Sequence, residues 1–135
     1  MIGLVVVTHA GLAAEILRAA ELIIGPLQKV EALGIDRKMS VDVAKGQLQQ
    51  VVAQVGEDGD GVIIFTDLFG GTPTNISAEL LREGEVEILT GVNLPMLIKG
   101  VGSRTNQNLD ELTVLLKNYG KDAIIRPAEL LHSSS

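Results

Sequence analysis

The chain opens on an apolar run, Leu4-Val5-Val6-Val7, closed by Thr8 and His9. A run with no polar face predicts a central parallel strand covered on both sides. Beyond it Leu12, Ile16, Ala19 and Ile23 recur at helical spacing until Gly25-Pro26 stops the pattern. A short second strand, Val30–Ile35, reaches Asp36, and Ser40 is placed to cap a helix whose buried stripe is Val41, Ala44, Leu48, Val51 and Val55. Gly56 ends that helix, and the turn Glu57-Asp58-Gly59-Asp60-Gly61 leads into a third buried strand, Val62–Thr66. Thr72 as N-cap and Pro73 at the first helical position predict a third helix running to Gly84. A fourth strand, Val86–Thr90, is followed by the strand-to-helix loop Gly91-Val92-Asn93-Leu94-Pro95. Leu109, Leu112, Leu116 and Tyr119 mark the last helix, ending at Gly120, and a fifth strand over 123–126 precedes Pro127.

Strand and helix alternate throughout, which predicts a doubly wound α/β sheet of five strands with helices on both faces. The 135 residues, 46% of them hydrophobic, suffice for one core. One domain over 1–127 is expected, with 128–135 as a C-terminal tail holding His132 and the Ser133-Ser134-Ser135 run. Only 2% of residues are aromatic and the net charge is −6, so a nucleic-acid role is not expected and a partner with a positive contact face is favoured. The chain has no Cys, which removes disulfides and thiolate chemistry and agrees with a cytoplasmic setting. Its first apolar stretch lacks a basic leader and is broken by Thr8 and His9, so neither a signal peptide nor a membrane span fits.

Ligands of doubly wound sheets sit beyond the carboxyl ends of the strands. The loops there bring His9, Asp67 with Gly70-Gly71-Thr72, and Asn93 to one edge. A carboxylate bound to one imidazole nitrogen fixes the tautomer and leaves the other nitrogen nucleophilic. Two glycines let backbone approach an anion closely, and the start of the third helix favours negative charge by about 0.3–1 kcal/mol. A phosphoryl group fits such a site. Each residue also has a duller reading, His9 as a turn residue, Asp67 as an Asx-turn and Gly70-Gly71 as a tight turn. Arg37 and Lys38, after the second strand, are either solvated or placed to meet an anion or a partner. No set of residues has metal-ligand spacing, the three spaced glycines of a dinucleotide fingerprint are absent, and no cofactor is expected.

Val5-Val6-Val7-Thr8-His9, Asp67-Leu68-Phe69-Gly70-Gly71-Thr72-Pro73-Thr74-Asn75 and Gly91-Val92-Asn93-Leu94-Pro95-Met96-Leu97 resemble the mannose-family IIA component of the bacterial phosphoenolpyruvate-dependent sugar phosphotransferase system. The resemblance runs from Met1 to about Pro127. It implies an antiparallel C-terminal edge strand exchanged between the subunits of a homodimer. It also implies that phospho-HPr donates to His9, that Asp67 orients the ring, that Gly70, Gly71 and Thr72 cradle the phosphate, and that a IIB component accepts the group. That IIB component is expected to be a separate polypeptide, with the membrane reached only indirectly through IIC and IID subunits. Phe69 and Asn93 are the expected partner contacts. Some family members carry a hydroxyl residue where this chain has Leu68, which leaves the cradling to backbone donors. A regulatory phosphotransfer protein, a dihydroxyacetone-kinase phosphotransfer subunit and an unphosphorylated sensor stay as alternatives.

Overall fold

In the first strand, β1 (Gly3–His9), Leu4 and Val6 face one side of the sheet and Val5 and Val7 the other, and all four are fully buried. A strand with two apolar faces needs a layer of helices on each. The computed structural model describes residues 1–133 and supplies both. Four parallel strands, β1, β2 (Val30–Ile35), β3 (Val62–Thr66) and β4 (Val86–Thr90), lie in the order β2-β1-β3-β4. On one face pack α1 (Leu12–Ile24), α4 (Leu94–Ser103) and α5 (Leu109–Asp122), through Ala13, Leu17, Leu97, Leu112 and Leu116 against Leu4, Val6, Ile63 and Phe65. On the other pack α2 (Val41–Val55) and α3 (Gly71–Ala78), through Ala44, Leu48 and Ile76 against Val5, Val7 and Ile64. The chain leaves β1 through α1 toward β2 and returns through α2 to β3, so the order reverses between β1 and β3. Val7 is level with Thr66 across that pair, which puts His9 and Asp67 side by side at the crevice where such sheets hold ligands.

The expected five-stranded sheet with an antiparallel, exchanged C-terminal edge strand is not what forms: the sheet has four strands, all parallel. Ala123 closes α5 in helical geometry, and Pro127 opens a further helix, α6 (Pro127–Ser133). The linking residues 124–126 pair with no strand among the described residues, and Ile124 is 81% exposed. Two adjacent β-branched residues fit a strand, but a strand exists only beside a neighbour that takes its hydrogen bonds. The expected tail, 128–135, is helical as far as Ser133, and its last two serines lie outside the described residues.

Three helix ends also differ from expectation, the first being the end of α3, which stops at Ala78 and not at the expected Gly84. Gly120 lies inside α5, where a Cβ would come within 2.6 Å of the Met96 Cε, so this glycine serves close packing of α5 on α4. Helix α3 starts at Gly71, and Thr72 sits in its first turn without capping it. Among the described residues no helix is long and apolar enough to cross a membrane.

Candidate functional site

The site begins with buried hydroxyls at the ends of the two central strands. Thr8 is fully buried; its Oγ1 accepts the Ala13 N–H at 2.7 Å and donates to the His9 carbonyl at 3.2 Å. It thereby caps α1 from outside the helix, where the N-cap Gly11 has no side chain to do so. His9 is followed by a left-handed residue, Ala10, with φ +51, whose N–H donates to the Ile35 carbonyl at 2.9 Å. A Cβ on Gly34 would lie 2.2 Å from the Ala10 carbonyl oxygen, so the bare backbone of β2 makes room for this turn.

On β3 the Thr66 hydroxyl lies 2.9 Å from that of Thr74, which donates to the Leu68 carbonyl at 2.6 Å. Both threonines are buried, and together they tie the 67–70 loop to α3. Leu68 N–H donates to Asp67 Oδ1 at 3.1 Å. The other carboxylate oxygen, Oδ2, accepts from the His9 backbone N–H at 3.0 Å and lies 2.8 Å from the ring Nδ1. Burial pushes the Asp67 carboxyl up, but the bonds from the His9 backbone and ring outweigh it and hold the group below its ordinary value of 3.8. Asp67 is therefore an anion at neutral pH, and its hydrogen bond fixes the proton of His9 on Nδ1. Nε2 keeps its lone pair.

That nitrogen lies over the start of α3. A Cβ on Gly71 would come within 3.2 Å of both Cε1 and Nε2, and Gly71 (φ +77) and Gly70 (φ +100) both hold conformations suited to glycine. No side chain caps this helix, so its first N–H groups have no side-chain partner, and the positive end of its dipole lies close to the ring. The His9 side chain is 51% exposed and that of Asp67 11%, the pattern of a reacting group above a sheltered supporting one. A cleft of about 330 Å³, lined by His9, Ala10, Ile35, Asp36, Arg37 and Thr72, opens beside the ring. A half-exposed nucleophilic nitrogen, a fixed anion behind it and a bare helix start in front suit transfer of an anionic group through the ring.

His9, Asp67, Gly70, Gly71 and Thr72 thus come together as expected. Phe69 stands in the same loop, 85% exposed, so its ring is not folded back on the core. Asn93, in the loop after β4, is engaged in packing: its Oδ1 accepts the Met96 N–H at 3.0 Å as the cap of α4, and its Nδ2 donates to the Gly120 carbonyl at 3.0 Å. Among the described residues no cluster of three or more His, Cys, Asp or Glu is placed to hold a metal. The sequence reading passed over Thr8, Thr66, Thr74 and Gly34. The signal for two of them was a threonine ending an otherwise apolar strand, where a buried hydroxyl requires a partner.

Comparison with known proteins places this geometry among relatives. The family model described as EIIA-man, PTS system fructose IIA component, matches residues 3–116. The mannose-specific EIIAB component of the phosphotransferase system in Escherichia coli K12 is 26% identical over 129 residues, covering 91% of this chain and 38% of that protein. The sorbose-specific EIIA component of Lacticaseibacillus casei is 29% identical over 110 residues, covering 81% of this chain and 78% of that one. Among solved structures, the phosphotransferase system component EIIA from Streptococcus agalactiae superposes with a TM-score of 0.85 at 30% identity, covering 96% of this chain and 99% of its own.

Proposed function

The chain belongs to the EIIA-man family of phosphotransferase-system IIA components, and on that footing we propose that it carries a phosphoryl group on His9, taken from phospho-HPr and passed to a IIB component for sugar uptake and phosphorylation. The observation that carries this reading is the 2.8 Å contact of Nδ1 with Asp67, which leaves Nε2 as the free nucleophile above the glycine notch of α3. In the forward step the Nε2 lone pair forms the new N–P bond while the donor's N–P bond breaks, its electron pair returning to the donor nitrogen. The Nδ1 proton stays where it is, and Asp67 stabilises the positive charge that the ring acquires. No water enters and no cofactor is required. The reverse sequence hands the group to IIB.

The N–H groups at Gly71 and Thr72 are the cradle in this reading, because they meet the incoming oxygens where a Cβ on Gly71 would crowd the ring. Phe69 and the half-exposed Leu68 and Leu12 around His9 form the docking face, since a partner that delivers a phosphoryl group must cover the ring. Asn93 supports the site's surroundings by holding α4 against α5. A homodimer accords with the apolar side chains of Leu22, Ile23 and Ile124 left exposed on the isolated chain.

The direct test is to incubate the purified protein with phosphoenolpyruvate, enzyme I and HPr and to weigh the intact chain. One added phosphoryl group is expected, acid-labile and alkali-stable as phosphoramidates are. A chain that gains no mass while HPr is phosphorylated would show that the edge binds without reacting.

A further inference from the structure

Four of the five arginines are already engaged. Arg18, Arg82 and Arg126 each pair with a glutamate three residues away, and Arg104 is buried with its guanidinium on the carbonyls of Ile2, Gln28 and Lys29. The fifth, Arg37, has no hydrogen-bond or ion-pair partner among the described residues, and it lines the same 330 Å³ cleft as His9 and Thr72. Its backbone is fixed even though its side chain is free. Asp36 Oδ1 accepts the N–H groups of Lys38 at 2.8 Å and of Met39 at 3.2 Å, an Asx-turn that holds Arg37 at the tip of the loop after β2.

The charge around the ring says what such an arginine would meet. Resting on the reading that His9 is phosphorylated, the filled site holds a dianionic phosphoryl group with the Asp67 carboxylate beside the same imidazole. The ring offers one positive charge and α3 a partial one. Asp36, the carboxylate that lines the cleft, is tied into its own turn, and apart from the ring itself Arg37 is the one full cation among the cleft's lining residues. A guanidinium fork matches phosphoryl oxygens in shape as well as charge. The geometry points to Arg37 as a direct ligand of the phosphoryl group on His9, swinging across the cleft to donate to its oxygens once the group arrives. The bare protein leaves that side chain solvated.

Arg37 is exposed, so Arg37→Gln and Arg37→Lys keep the fold. Two readouts are taken from protein phosphorylated through HPr: the equilibrium partition of the phosphoryl group between HPr and this chain, and the pH titration of the phosphohistidine phosphorus resonance. Arg37→Gln should move the partition about two- to fivefold toward HPr, the range of a solvent-exposed ion pair, and raise the pH at which the phosphoryl group takes up its proton. Arg37→Lys should fall between the parent and the glutamine variant, because it keeps the charge and loses the fork. An unchanged partition and an unchanged titration overturn the assignment, including the case in which only the rate of transfer from HPr falls, for then Arg37 serves the docking partner and not the phosphoryl group. A parent chain that takes up no phosphoryl group overturns the function reading itself, and this assignment with it.

Discussion

Asp67 carries two loads at the scale of single residues, and they separate experimentally. Its Oδ2 holds both the His9 backbone and its ring, so Asp67→Asn should slow phosphoryl transfer by about 10- to 100-fold, the range seen when supporting partners of metal-bound histidines are removed, while leaving the modified residue the same. Initial rates with HPr in excess measure this; unchanged rates would show that His9 is held by something else. Its contribution to stability has a definite sign. A carboxyl held below its ordinary value stabilises the folded state fully above that value and loses its contribution as pH falls through the folded-state value. The melting-temperature difference between the parent and Asp67→Asn should therefore be constant from neutral pH down to about 4 and shrink below it, and a difference that grows on acidification would contradict the assignment. Both members of this pair were legible in the sequence, because a polar residue that ends an apolar strand stands out from its neighbours. The hydroxyls beneath them were not. Which groups Thr66 and Thr74 meet depends on how β3 and α3 pack, and spacing along the chain does not encode that.

At the scale of elements, the site depends on two places where a strand or helix does without a side chain. Gly71→Ala would force φ +77 on a residue with a Cβ and crowd the His9 ring, costing about 1–2 kcal/mol of stability and displacing Nε2 from the helix start. Gly34→Ala would drive a Cβ into the Ala10 carbonyl and disturb the turn that presents His9, at a cost of about 1–3 kcal/mol. Chemical denaturation measures both, and a fully stable, fully active Gly71→Ala protein would refute the notch. Thr74→Val should leave the Leu68 carbonyl with only the longer 3.4 Å bond from the Thr66 hydroxyl and cost about 0.5–1.5 kcal/mol, with Thr74→Ser restoring both stability and transfer. The start of α3 shows why element ends are hard to read. Thr72-Pro73 has the chemistry of a cap and first turn, yet the two preceding glycines adopt positive φ and let the helix begin one residue earlier, which leaves its first N–H groups uncapped by any side chain. That displacement is what makes the helix start available to an anion.

The two-sided burial of the central strands β1 and β3 followed from hydrophobic patterning, because a parallel sheet leaves its mark as continuous apolar runs. The C-terminal end did not. Ile124 and Ile125 read locally as strand, but the four-stranded sheet provides them no place and they lie between two helices. With a net charge of −6, association with a basic HPr should be steered by charge and slow as salt rises, and salt-independent association kinetics would contradict that. Light scattering at micromolar concentration should find a dimer, and a clean monomer would remove the proposed association. The central claim is more local than either: the phosphoryl group resides on Nε2 of His9 because Asp67 occupies Nδ1. Phosphorylating histidine-labelled protein through HPr and reading the nitrogen–phosphorus coupling by NMR tests it most directly. The expected spectrum shows phosphorus coupled to the Nε2 of one histidine, with a proton retained on its Nδ1, and loses that signal in His9→Ala but not in His132→Ala. Phosphorus on Nδ1, on His132 or on any residue of an intact His9→Ala chain would contradict the account.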